Sequence, residues 1–99
     1  MGLKKQWSLF AYDIRNEKRL QRVRRCLERE AMYCQHSVYL ACLSAPEKQR
    51  LLQRLHERMK SEDDLRVYPV RHPREVWQWG NSQAVQSNEP GFFKRIIQF

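Results

Sequence analysis

From Trp7 to Ile14 the chain reads Trp-Ser-Leu-Phe-Ala-Tyr-Asp-Ile, apolar at both parities until Asp13. A strand packed on both faces has this pattern, whereas a half-exposed strand alternates. Asn16, a strong N-cap residue, then opens a helix to about Glu30, with Leu20, Val23 and Leu27 recurring on one face. A second strand-forming run covers about Tyr33–Leu43, where Val38, Leu40 and Cys42 alternate with Ser37, Tyr39 and Ala41. Ser44-Ala-Pro-Glu47 has the form of a capping box with proline in the first turn. It launches a second amphipathic helix carrying Leu51, Leu52, Leu55 and Met59. A loop at Ser61–Asp64 follows, then a third strand at Leu65–Val70, whose Pro69 suits an edge or a strand end. Val76-Trp-Gln-Trp79 predicts a fourth strand, stopped by Gly80.

Two element orders are compatible with this pattern. The order is βαββαβ if residues 31–43 and 65–70 supply the middle strands with a break or hairpin, and βαβαββ if the segments are read straight through. In both, two helices cover one face of a small sheet. The α+β, ferredoxin-like βαββαβ sandwich with an antiparallel sheet is the common solution at this size. Residues 1–80 are read as that domain and residues 81–91 as a linker. Phe92–Phe99 is an apolar tail too short to fold alone, expected to dock on its own sheet edge or, in a homodimer, on the partner. The two-faced first strand and this tail both predict a homodimer.

Charge narrows the function. The 99 residues carry 19 Lys and Arg against 11 Asp and Glu, a net charge of +8. Such an excess on one small domain implies an anionic partner, nucleic acid first and an acidic membrane surface second. The length excludes a multi-domain enzyme, and with only three glycines no Gly-rich phosphate loop is present. The longest apolar stretch, Leu9–Tyr12, is far short of the roughly 20 residues of a membrane span. The opening Met-Gly-Leu-Lys-Lys-Gln has no signal-peptide apolar region, and Gln6 replaces the Ser or Thr of a myristoylation motif. A cytoplasmic location is therefore expected. Cys26, Cys34 and Cys42 form no Cys-x-x-Cys pair, and His36, His56 and His72 are scattered, so reduced structural thiols are expected rather than a Cys/His metal centre.

Asp13 is the residue that invites chemistry. A carboxylate ending an apolar strand is costly unless paired, hydrated or holding a cation. An ion pair with Arg15 or Arg19 is the ordinary reading; a Mg²⁺ or Mn²⁺ ligand is the functional one, since hard cations prefer carboxylate oxygens. A dimer would bring two such residues together, and a metal-activated water could attack a phosphodiester. Residues 15–30 hold seven basic and three acidic side chains, the basic ones being Arg15, Lys18, Arg19, Arg22, Arg24, Arg25 and Arg29. Lys48, Arg50, Arg54, Arg58 and Lys60 follow in the second helix. Backbone-phosphate binding and simple solubility are balanced explanations of these cations. Tyr12, Tyr39, Trp77 and Trp79 are candidates for stacking on bases, although packing is the commoner role of strand aromatics. Ser37 has no His–Asp arrangement for nucleophilic catalysis; its hydroxyl suits a bond to a neighbour or a phosphate.

Leu9-Phe-Ala-Tyr-Asp-Ile14, Lys18-Arg19-Leu20, Gln35-His-Ser-Val-Tyr-Leu-Ala-Cys-Leu43 and Leu65-Arg-Val-Tyr-Pro-Val70 together resemble the small CRISPR-associated protein two family, over about residues 7–72. Tyr39 stands where that family often has Phe. The resemblance implies a ferredoxin-like homodimer with facing sheets and makes Asp13 the Mg²⁺ ligand and catalytic carboxylate at the dimer interface. It also implies a role in spacer acquisition, either as a metal-dependent endonuclease on RNA or double-stranded DNA or as a non-catalytic bridge between dimers of the CRISPR integrase subunit. The nucleic-acid contacts expected on this basis are Tyr12, Arg15, Lys18, Arg19, Arg22, Arg25, Ser37 and Tyr39. A toxin-type ribonuclease of the virulence-associated protein D family is the alternative.

Overall fold

The computed structural model describes residues 4–74. Six elements follow in order: β1 (Lys5–Asp13), α1 (Glu17–Glu28), β2 (Met32–Gln35), β3 (Val38–Ser44), α2 (Ala45–Glu57) and β4 (Asp64–Val70). The strands form one antiparallel sheet in the order β2-β3-β1-β4. This is the ferredoxin-like βαββαβ arrangement. Of the two orders the pattern allowed, βαββαβ is realised through a hairpin within residues 31–43. That one segment supplies both middle strands, whereas residues 65–70, expected among them, form the last strand at the sheet edge.

The β2–β3 turn is made by His36 and Ser37, and Ser37 takes a left-handed φ of 64°. Glycine, asparagine or aspartate usually supply such a conformation, so this turn has no compositional signature. The helix starts were legible. The Asn16 side chain accepts the Arg19 N–H at 3.0 Å. Ser44 and Glu47 complete the capping box, with the Ser44 N–H donating to Glu47 Oε1 at 2.8 Å. Bonding from Ser44 and the nearby Lys5 lower the Glu47 pKa.

The sheet carries two apolar layers. On one face Phe10, Tyr12, Tyr39, Ala41 and Leu43 pack with Val23, Cys26 and Leu27 of α1 and Leu51 and Leu55 of α2. On the other, Leu9, Ala11, Val38, Leu40 and Val70 form a cluster built from strand residues, joined by half-buried Trp7, Cys34 and Tyr68. The apolar run Leu9–Tyr12 of β1 is thereby explained: alternate residues serve opposite layers. No described helix is long and apolar enough to cross a membrane. The expected strand Val76–Trp79, with Trp77 and Trp79, the linker and the docking tail lie outside the described residues.

Candidate functional site

Asp13 is the last residue of β1 and stands directly opposite Asp64, the first residue of β4. Directly opposed residues of an antiparallel pair share a sheet face, so both carboxylates lie on the face of Leu9 and Ala11. Asp13 Oδ2 lies 3.4 Å from the Arg15 guanidinium, and Asp64 Oδ2 lies 3.6 Å from Arg66 Nε. Of the two partners expected for Asp13, the structure thus supplies Arg15. Among the described residues no group of three or more His, Cys, Asp or Glu gathers. The donor set at the end of β1 is therefore two carboxylates. It fits Mg²⁺, which keeps several waters and is often held through one or two carboxylates.

Arg19 turns elsewhere. Its Nε donates to Asp63 Oδ2 at 2.8 Å, and its terminal nitrogen bonds Asp63 Oδ1 at 3.1 Å and also reaches Glu62. Asp63 also accepts the backbone N–H of Arg15 and of Lys60, each at 2.9 Å. With its side chain 0% exposed, Asp63 is saturated with donors, and the Arg19 bond above all holds its pKa at about 2. The loop from β1 to α1 is thus clamped to the loop from α2 to β4. The sequence marked Ser61–Asp64 only as a loop; its run of three acids beside an arginine-rich helix was the available signal.

The remaining basic residues of α1 are sorted by helical geometry. Lys18, Arg22, Arg25 and Arg29 recur at spacings of four, three and four, which aligns them in one stripe. All four are exposed, while Val23, Cys26 and Leu27 are buried. Arg15, also exposed, extends the cations toward Asp13. Like-charged neighbours within a helix repel, so the stripe favours an anionic partner.

Tyr12 and Tyr39 lie inside, stacked at 6.3 Å between ring centroids, with the exposed Tyr33 edge-on to Tyr39 at 5.6 Å. Burial raises both of their pKa values, and the covered rings serve packing. Tyr33, 60% exposed, is the accessible member of the group, and no motif in the sequence singles it out. Ser37 is buried, and its carbonyl accepts the Tyr12 N–H at 3.1 Å. It therefore acts through the backbone to fix the residue that precedes Asp13. The expected site residues divide among the carboxylate end of β1, the exposed stripe of α1, the Arg19–Asp63 clamp, the Ser37 turn and the buried tyrosines of the helix-facing layer.

A comparison with curated proteins gave no match. Among solved structures, a hypothetical protein from Thermus thermophilus is similar at 28% identity and a TM-score of 0.65, covering 67% of this chain and 82% of that one. A Cas2 crystal structure is similar at 26% identity and a TM-score of 0.64, covering 69% and 77%. Streptococcus pyogenes Cas2 shares the fold at 24% identity and a TM-score of 0.60, covering 65% and 84%. The family profile for CRISPR associated protein Cas2 matches residues 6–76, from the second residue of β1 past the end of β4. That span holds all of the described elements but Lys5, together with Asp13 and the α1 stripe, and it selects the CRISPR-associated reading over the toxin-type ribonuclease. The chain belongs to the CRISPR-associated protein Cas2 family.

Proposed function

We propose that this chain is a nucleic-acid-binding scaffold of CRISPR adaptation: a cytoplasmic homodimer that holds duplex DNA by its backbone and bridges dimers of the integrase subunit. The observation that carries this reading is the exposed stripe of Lys18, Arg22 and Arg25 on α1, continued by Arg29. Cations so arranged contact phosphates without reading base sequence, which suits a subunit that must accept spacers of any sequence. The strand-built apolar layer of Leu9, Ala11, Val38 and Leu40 supports pairing of two sheets in a homodimer. Charge reversal at Arg22 and Arg25 should abolish duplex binding; affinity retained at low salt in that variant overturns the reading. Arg19 is left out of the test because its substitution would break the Asp63 clamp.

A second reading, a Mg²⁺- or Mn²⁺-dependent endonuclease on RNA or duplex DNA, draws support from Asp13 facing Asp64. These two carboxylates would hold the cation, which supplies an activated water when bound. Wild type and Asp13→Ala are incubated with labelled duplex DNA and single-stranded RNA, in Mg²⁺ or EDTA. Cleavage lost in both EDTA and the variant makes the protein an enzyme with Asp13 as its metal ligand. Duplex binding under every condition without cleavage makes it a scaffold.

A further inference from the structure

Between the start of α1 and the end of α2 lies an open cavity of about 310 Å³. Lys18, Arg19 and Arg22 line it from α1, and Arg58 and Lys60 from the turn that follows α2, with Glu57 as its lining carboxylate. The acids nearest Arg19 are already committed, since Asp63 and Glu62 both bond that guanidinium. No described carboxylate pairs within 4 Å with Lys18, Arg22, Arg58 or Lys60. Four cations from two segments distant in sequence thus surround one concavity. Arg58 is also pre-positioned, because its guanidinium donates to the Arg54 carbonyl at 2.7 Å. A donor already held in place loses less conformational freedom when it binds.

We infer that this cavity seats one backbone phosphate of a bound nucleic acid. The inference rests on the nucleic-acid-binding reading above and deepens it. Guanidinium and ammonium donors from several directions match a tetrahedral oxyanion, with Arg supplying paired N–H groups and Lys a point charge. Continuity identifies the source of the phosphate. Lys18 and Arg22 belong both to the cavity and to the α1 stripe, so a backbone tracking the stripe reaches the cavity without leaving the protein. The contact surface accordingly runs across the junction of the two helices rather than along α1 alone.

The test measures duplex affinity by fluorescence anisotropy as salt is varied, for wild type and for Arg58→Ala/Lys60→Ala. The double variant should bind about tenfold more weakly near 0.1 M salt. Its plot of log affinity against log salt should be shallower by about one to two. Arg58→Lys/Lys60→Arg, which keeps both charges, should restore the slope and guards against a folding defect. An unchanged slope in the double variant, while Arg22/Arg25 reversal still abolishes binding, overturns the seat and leaves the scaffold reading intact. Absence of duplex binding by the wild type overturns the scaffold reading itself. Inorganic phosphate, titrated by amide NMR, separates the two sources of the anion. Weak phosphate-induced shifts around residues 16–22 and 58–60 that duplex DNA displaces support the backbone assignment. Tight phosphate binding that duplex does not displace makes this a site for a free phosphate and overturns it.

Discussion

Asp13 ends β1 and Asp63 immediately precedes β4, and both lie beside arginines, yet they occupy opposite regimes. Asp13 keeps a quarter of its side chain exposed, and its ion pair to Arg15 is 3.4 Å long. Asp63 is fully covered and receives donors from Arg15, Arg19 and Lys60 within 2.8–3.1 Å. The contrast teaches where the molecule is fixed and where it can exchange partners. A buried carboxylate with every lone pair occupied is a structural joint, because losing any donor leaves an unsatisfied charge. A partly hydrated carboxylate with a long ion pair can trade that partner for another at small cost. The joint sits directly behind the exchangeable end: the backbone N–H two residues after Asp13 is the one that Asp63 fixes.

The strongest way to break this comparison is Asp63→Ala. Removing a buried partner leaves Arg19 without its main counter-charge and two backbone donors unpaired. The expected loss is about 3 kcal/mol of unfolding free energy, read from urea melts. A loss below about 1 kcal/mol would mean that the clamp is ornamental. Acid titration probes the same joint without substitution. Asp63 has a folded pKa of about 2 against an ordinary 3.8, so between those values the unfolded chain binds more protons than the folded one. Stability from this group is therefore full above about pH 4 and falls as pH drops toward 2. Asp63→Asn should remove that component of the acid transition, as measured by pH-dependent melts.

Much of the fold was legible because its determinants are local. Asn16 and the Ser44–Glu47 capping box marked both helix starts, and the apolar run Leu9–Tyr12 marked a strand between two layers. The β2–β3 turn was not legible as a turn, since Ser37 adopts its left-handed φ without the glycine or asparagine that announces one. The site divides in the same way. Asp13 stood out as a charge in an apolar run, but Asp63 sat in a loop where acids are ordinarily solvated. Its Arg19 partner is 44 residues away in the chain. Lys18 and Arg19 are adjacent and alike in charge, yet one is exposed and the other is taken by Asp63. Only tertiary structure makes that distinction, and it removes Arg19 from a stripe that composition alone would have included.

Arg15 sharpens the comparison within a single residue. Its guanidinium serves Asp13, while its backbone N–H serves Asp63. Arg15→Ala removes the first and keeps the second, so the loss should stay near 0.5 kcal/mol, as for exposed ion pairs. A much larger loss in urea melts would show that the guanidinium belongs to the joint.

Asp13→Asn should have the smallest effect on stability. The amide is nearly isosteric, and the substitution relieves the repulsion from Asp64 directly across the ladder while weakening the pair with Arg15. These opposing changes should leave stability in EDTA within about 0.5 kcal/mol of wild type. Melting the two proteins side by side checks this, and a loss comparable to that of Asp63→Ala would place Asp13 among the structural joints. With stability unchanged, the variant becomes a clean probe of the cation: a Mg²⁺-dependent rise in melting temperature seen in wild type and absent in Asp13→Asn would assign the ion to this carboxylate. Loss of cleavage in the same variant could then be ascribed to chemistry, because the fold that carries the α1 stripe would still be in place.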